Sequence, residues 1–421
     1  MMERKLLPCS FAGQVSAIPS KSLAHRALIC AALCRESTEV YLSDASQDIL
    51  ATIDCLERLG ASIENTANGL HVQPIQKPTQ KVKLNCGESG STLRFLLPVA
   101  AALTEESSFS GSGRLPERPL LPLLEALAVH GMKYSAASLP LSVSHWQKGG
   151  LFSLPGNISS QFASGILLAA PLLQEDLEIS FSSPLESSSY LELSCQVMEI
   201  FGISIKKDSN SYMIEKEARY TSPGSFTVEV DWSNAAFWLT AGALSSHGIA
   251  VSGLNKDSAQ GDRKVLELLE QMGASSYWRD DILYIMNRGR LNALSIDAAD
   301  IPDLVPILAV AAACAKGTTR IEHISRLRHK ESDRVATTVQ LINDLGGMAQ
   351  ATEDKLIITG VEQLYGGKVQ SYNDHRIAMA AAIAAAQSRD AIILQDSQAV
   401  AKSYPKFWQD YEKLGGQASV I

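Results

Sequence analysis

A chain of 421 residues, 46% hydrophobic and 19% charged, is too apolar to be disordered and too long for one hydrophobic core, so two or more domains are expected. The longest apolar run, Leu304 to Ala315, holds about twelve residues where a bilayer span needs roughly twenty, and MMERKLLPCSF has no apolar stretch long enough for a secretory signal. A net charge of −8 argues against phosphate-backbone binding, and seven scattered cysteines with no CxxC spacing point to a reduced, cytoplasmic protein without a structural metal.

Read in chain order, six segments run from a polar cluster directly into a helix rich in Ala and Leu. They are SKSLAHRALICAALC from Ser20, ESGSTLRFLLPVAAAL from Glu88, SSQFASGILLAAPLL from Ser159, DWSNAAFWLTAGAL from Asp231, DIPDLVPILAVAAACA from Asp300 and NDHRIAMAAAIAAA from Asn373. Each is followed by a second, amphipathic helix that stops at a glycine: Gly60, Gly131, Gly202, Gly273, Gly346 and Gly415. Both markers recur about every seventy residues, the signature of an internal repeat. Between the helices, KVKLN (81–85), LEISFS (177–182), FTVEVD (226–231), LYIMN (283–287) and KLIITG (355–360) read as strands.

Each repeat is thus a mixed α/β element. Its first helix is apolar all round and should be buried; its second has a polar face and should lie outside. Six repeats across two domains give three per domain, packed around a centre of buried helices with sheets on the flanks.

Helix N-termini carry unpaired N–H groups and partial positive charge, and Ser, Asn or Asp there serve first as caps. Capping does not account for Lys21, Arg26, Arg94 or Arg376, because a cation near a helix start opposes the dipole unless an anion sits nearby. Loop residues at repeat boundaries add Arg118 in GSGRLPERP, Lys330 and Arg334 in RHKESDR, and Lys402 in AVAKSYP. Together these eight cations would balance two small ligands, each bearing a phosphate and a carboxylate. No GxxxxGK[ST], strand-linked GxGxxG, HExxH or GxSxG pattern occurs.

These clusters resemble the enolpyruvyl transferase family, and within it the members that act on shikimate-3-phosphate. The resemblance spans essentially the whole chain and rests on SKSLAHRALICAAL, ERP, SSQF, KESDR, SYNDHRIAMA and AKSYP, in the family's order and approximate spacing. It implies a two-domain inside-out α/β barrel, each domain made of three βαβαββ units. Residues 19–229 would form one domain and 1–18 with 230–421 the other, with hinges near 18–20 and 229–232. It further implies transfer of the enolpyruvyl group of phosphoenolpyruvate to the 5-hydroxyl of shikimate-3-phosphate with release of phosphate, a step of chorismate and aromatic amino acid biosynthesis. No metal or organic cofactor, nucleic acid or membrane is expected to take part, and a monomer is expected.

Carried over residue by residue, the resemblance assigns Lys21, Ser22, Arg26, Ser159, Ser160, Gln161, Ser187, Tyr190, Asp303 and Lys330 to shikimate-3-phosphate. Lys21, Gly90, Arg118, Gln161, Arg334, Arg376 and Lys402 fall to phosphoenolpyruvate. Asp303 would take the 5-hydroxyl proton, Glu331 would serve as acid and base at the methylene carbon, and Lys21 would assist proton transfer. Closing the domains over the ligands would exclude water and complete the set of cations.

Three positions depart from the family pattern: Glu88 opens a loop that commonly begins with Asn, Arg326 stands where some relatives have Asn, and His25 replaces a smaller polar residue. Two other functions compete. A relative using UDP-N-acetylglucosamine would carry Lys-Asn where this chain has Lys21-Ser22, and often a cysteine in the loop at 111–119. A non-catalytic anion- or RNA-end-binding relative would not need Lys21, Asp303, Glu331 and Lys402 together.

Overall fold

The computed structural model describes residues 2–421 and contains twelve α-helices among them. In chain order these are α1 Lys21–Ala32, α2 Gln47–Leu59, α3 Gly90–Leu103, α4 Leu121–Val129, α5 Ser160–Ala169, α6 Ser188–Ile200, α7 Trp232–Ala243, α8 Lys264–Gln271, α9 Val305–Ala313, α10 Arg334–Asp344, α11 His375–Ala384 and α12 Phe407–Lys413. The odd-numbered helices are the apolar ones, and α7, α9 and α11 are buried along their whole length. Their even-numbered partners bury one face, as Ile49, Thr52, Cys55, Leu56 and Leu59 do in α2. All six glycines that follow the even helices have φ between +80° and +117°, a left-handed turn that lets the chain reverse.

Contacts divide the chain into two compact units, Pro19–Val228 and Met1–Ile18 with Glu229–Ile421. Each unit carries three small sheets. A recurrent piece is a parallel strand pair that flanks a buried helix: Lys81–Asn85 and Glu106–Ser110 around α3, Gly150–Leu154 and Leu177–Phe181 around α5. In the other unit Ser295–Asp297 and Thr318–Glu322 flank α9, while Gly367–Gln370 and Ile392–Gln395 flank α11.

The remaining two pairs are exchanged. Gly13–Ser16, which precedes α1, pairs with Ile249–Ser252, which follows α7. Ser225–Thr227, which precedes α7, pairs with Thr38–Tyr41, which follows α1. Arg4–Leu7 lies between Ile392–Gln395 and Gln417–Val420, so the first residues belong to the same sheet as the last. Every sheet therefore keeps its parallel edge, and each unit is closed by a strand from across a chain crossing.

One strand is shorter than its alternating sequence suggests. FTVEVD contributes only Phe226 and Thr227 to a strand that begins at Ser225, after which the Val228 amide still donates to the Tyr41 carbonyl. Beyond that point Gln260 donates to Glu229 Oε1 at 2.8 Å and to the Val230 carbonyl at 2.6 Å, and the Asp231 amide donates to the Ile18 carbonyl at 2.7 Å.

The starts of the six apolar helices follow the expected chemistry with one exception. Ser20, Ser89, Ser159, Asp231 and Asp374 accept from backbone N–H groups in the first turns of α1, α3, α5, α7 and α11. Helix α9 has no side-chain cap; a 3₁₀ turn, Pro302–Leu304, leads into it and carries Asp303.

Helix α5 meets α3 at close range. A Cβ placed on Gly165 would stand 2.1 Å from the Arg94 carbonyl oxygen. Backbone cannot swing aside as a side chain end can, so Gly165→Ala should force the helices apart and cost about 1–3 kcal/mol. Thermal or urea denaturation checks this, and an unchanged midpoint would mean that the helix contact is not limiting.

Candidate active site

Each unit gathers one cluster of the motif residues at its helix N-termini. In the unit 19–228, Lys21 begins α1 and its Nζ lies 2.7 Å from Asp48 Oδ2 in the first turn of α2. One turn further along α1, Arg26 is almost wholly buried. It donates to the Ser22 carbonyl at 2.7 Å, to the Tyr190 carbonyl at 2.8 Å and to Ser194 Oγ at 2.7 Å, and its guanidinium lies over the Phe95 ring. No carboxylate is among those partners, and burial lowers its pKa to about 10. A cation paired only with carbonyls and a hydroxyl still calls for negative charge.

Gln161 in the first turn of α5 joins α3. It donates to Ser91 Oγ at 3.0 Å and accepts from Arg94 at 2.7 Å, while Arg94 also donates to the Pro119 carbonyl. That carbonyl belongs to the residue after Arg118, whose guanidinium lies directly over Gly90: a Cβ there would sit 2.8–2.9 Å from its terminal atoms. Glycine is what lets Arg118 reach the N-terminus of α3. Glu88 points instead toward the turn at Gly113, where a Cβ would meet its carboxylate. Ser159 caps α5, Ser160 is buried beside it, and Ser187 is a buried N-cap of α6 in a left-handed conformation with φ +56°.

The second cluster belongs to the unit containing residues 229–421 and is organised around Arg334, which is 1% exposed. Its three nitrogens meet three carboxylates: Asp303 Oδ1 at 2.8 Å, Glu331 Oε2 at 2.6 Å and Asp374 Oδ2 at 2.8 Å. Burial would lower the Arg334 pKa, but Asp374, Glu331 and Asp303 together raise it. Asp303 is shared further. Arg376 donates to its Oδ2 at 3.0 Å and to its carbonyl at 3.1 Å, and Lys330 Nζ stands 3.6 Å from Oδ1. Burial would raise the Asp303 carboxyl, yet Arg376, Lys330 and Arg334 hold it well below the usual carboxylate range. Lys402 donates to the Asn373 carbonyl at 2.5 Å, next to the cap of α11. Arg326 is buried and donates to the Ala299 carbonyl.

The two clusters differ in charge balance. Lys330, Arg334, Arg376 and Lys402 are interleaved with Asp303, Glu331 and Asp374, so this group is far less cationic than its basic residues alone imply. Buried Asp262 adds a further acid, pushed up to about 6 by burial and then by the neighbouring Asp303 charge. At the start of α1, Lys21 is paired with Asp48, whereas Arg26 has carbonyls, a hydroxyl and an aromatic ring as partners.

Several of these partners carry no sequence signal. Asp48 lies in DASQD, outside any motif, and its pairing with Lys21 depends on α1 and α2 packing side by side. Asp374 is visible in NDHR as a helix cap, but its second task of holding Arg334 is a tertiary contact across 40 residues. Among the described residues no group of three or more His, Cys, Asp or Glu side chains has the geometry to hold a metal ion.

A family model for EPSP synthase (3-phosphoshikimate 1-carboxyvinyltransferase) matches residues 8–411. The 3-phosphoshikimate 1-carboxyvinyltransferase of Clostridium perfringens (strain ATCC 13124) is 40% identical over 415 residues, covering 98% of each chain. That of Clostridium acetobutylicum is 40% identical over 419 residues, covering 98% of this chain and 97% of its own. Among solved structures, an EPSP synthase from Acinetobacter baumannii aligns over the full length of both chains with a TM-score of 0.81 at 25% identity. The enolpyruvyl transferase NikO from Streptomyces tendae gives a TM-score of 0.81 at 15% identity over 100% of this chain and 98% of its own, a likeness of fold.

Burial lowers the Lys330 pKa to about 8, with Asp303 opposing the shift. The ammonium form is thus lost as pH rises through that value, and with it a positive charge from this cluster. Affinity for an anionic ligand at Lys330 should weaken above pH about 8, and Lys330→Arg, which stays charged, should abolish that decline. Titration of ligand binding from pH 6.5 to 9.5 in both proteins decides it; matching curves would remove Lys330 from the contact.

Proposed function

Starting from the fact that the chain belongs to the EPSP synthase family, with the two-domain fold of the enolpyruvyl transferases, we propose how its residues divide the work. The activity is transfer of the enolpyruvyl group of phosphoenolpyruvate to shikimate-3-phosphate, in the shikimate pathway to aromatic amino acids.

Shikimate-3-phosphate is assigned to Lys21, Ser22, Arg26, Ser159, Ser160, Gln161, Ser187, Tyr190, Asp303 and Lys330, and phosphoenolpyruvate to Lys21, Gly90, Arg118, Gln161, Arg334, Arg376 and Lys402. Arg26, buried without a carboxylate partner, supports an anionic substrate against α1. Arg118 over Gly90 supports a second anion at the start of α3, where backbone N–H groups and the helix dipole add to the guanidinium.

In the reaction the 5-hydroxyl oxygen bonds to C2 of phosphoenolpyruvate while its proton passes to Asp303. The former double-bond pair takes a proton at C3 from Glu331, giving a tetrahedral intermediate. Glu331 then removes a proton from C3, the double bond re-forms, and the C2–O bond to phosphate breaks. Lys21 assists these proton transfers, and the cations stabilise the departing phosphate.

The observation that carries this reading is the sharing of Asp303 among Arg376, Lys330 and Arg334. A carboxylate so heavily compensated is a weak base. The same three cations are those assigned to the substrates' charged groups, so substrates that draw them away restore basicity to Asp303 when a proton is ready to move. Base strength is thereby coupled to occupancy. A monomer in the cytoplasm completes the proposal; six of the seven free cysteines are buried, which suits a reducing compartment.

A phosphate-release assay with phosphoenolpyruvate, adding shikimate-3-phosphate or UDP-N-acetylglucosamine in turn, tests the assignment; turnover only with the second would overturn it. Asp303→Asn keeps an oxygen for the three cations but loses the base. It should lower kcat by about 10²–10⁴-fold while each substrate's KM stays within a few-fold. Gly90→Ala should displace Arg118 and raise KM for phosphoenolpyruvate while leaving shikimate-3-phosphate affinity near its original value. Equal losses for both substrates would refute the placement of phosphoenolpyruvate at α3.

A further inference from the structure

His25 sits on α1 one turn after Lys21, with no exposed surface, and is not used by the reaction as assigned. Its Nδ1 lies 2.7 Å from Thr52 Oγ1 on α2, Thr52 Oγ1 lies 2.7 Å from Thr92 Oγ1 on α3, and Thr92 Oγ1 donates to Ser89 Oγ at 2.7 Å. Ser89 Oγ also accepts from the Thr92 amide at 3.1 Å.

Counting hydrogens gives the chain one direction. The single hydroxyl hydrogen of Thr92 faces Ser89 Oγ at 2.7 Å and, at the longer distance of 3.4 Å, the Asp48 carbonyl, so the Thr52–Thr92 bond must use the hydrogen of Thr52. Thr52 must then accept from His25, which requires hydrogen on Nδ1. Burial, followed by the charges of Lys21 and Arg26, holds the imidazole well below its usual pKa, so the ring is neutral and Nε2 bears none. Nε2 is buried and has no hydrogen-bond partner, so no competing bond selects the other tautomer. At the far end Ser89 accepts twice, and its own hydrogen has no protein acceptor. Ser89, which has no exposed surface, is the cap of α3 and precedes Gly90, over which the Arg118 guanidinium lies.

We propose that His25 is a positioning residue whose Nδ1–H tautomer orders the series His25, Thr52, Thr92, Ser89, so that the Ser89 hydroxyl is presented as a preset donor to the anion held at Gly90 and Arg118. The inference rests on phosphoenolpyruvate occupying that place. Its logic is preorganisation: each hydroxyl is deprived of alternative rotamers by the next, and the donor meets the ligand without reorienting.

Thr52 provides the cleanest interruption, because its hydroxyl touches only His25 and Thr92. Thr52→Val removes the link at nearly constant volume; Thr52→Ser keeps it. KM for phosphoenolpyruvate should rise about fivefold in Thr52→Val, the weight of one hydrogen bond, with kcat and KM for shikimate-3-phosphate within twofold. Thr52→Ser should restore it. An unchanged KM for phosphoenolpyruvate, equal rises for both substrates, or failure of Thr52→Ser to restore would each overturn the proposal.

Ring ¹⁵N shifts of the unaltered protein, with His25 identified by the resonance lost in His25→Gln, provide a test that does not depend on Thr52→Val folding. The tautomer with hydrogen on Nδ1 is required, and hydrogen on Nε2 would end the argument. Failure of the wild-type protein to release phosphate from phosphoenolpyruvate would instead strike the assigned function, whichever tautomer is found.

Discussion

A buried helix cannot leave its first N–H groups unanswered, and this chain buries six such helices among apolar neighbours. Solvent cannot reach most of their surface, so each start must find its acceptors in a cap, a neighbouring element or a ligand. Five of the six take a serine or aspartate cap. The residues just inside those caps are then drawn into contact by the packing of α1 against α2 and of α3 against α5. Lys21 to Asp48 and Arg94 to Gln161 are consequences of that packing, and the chemistry has been built onto it.

The two units answer the same requirement differently. Around Arg334 the charges alternate, cation against carboxylate, so the cluster is held together before any ligand arrives. Around α1 and α3, Arg26 relies on carbonyls, a hydroxyl and an aromatic face. One set is therefore braced from within by carboxylates, while in the other Arg26 keeps an excess of positive charge that an anion would offset.

Much of this architecture can be read from letters alone, because it depends on local pattern. All-round apolar character marks α7, α9 and α11, and a glycine after each second helix marks where a left-handed residue is required. The capping serines and aspartates are equally visible. What stays hidden depends on which elements touch. Asp48 gives no hint that it neutralises Lys21, and NDHR gives none that Asp374 clasps Arg334. The hydroxyls of Thr52 and Thr92 look like ordinary core threonines until three helices are brought together. FTVEVD shows the converse: its alternation promises a longer strand than the one that forms.

The exchange of strands between the crossings also bears on how the molecule comes into being. Gly13–Ser16 and Arg4–Leu7 leave the ribosome early, yet their partners Ile249–Ser252 and Gln417–Val420 emerge about 230 and 410 residues later. In that interval the unit beginning at Pro19 can gather its own helices, while the leading segment waits unpaired. Nascent chains halted before Gln417 would carry an open sheet edge, a vulnerable state that chaperones or rapid completion of translation must cover.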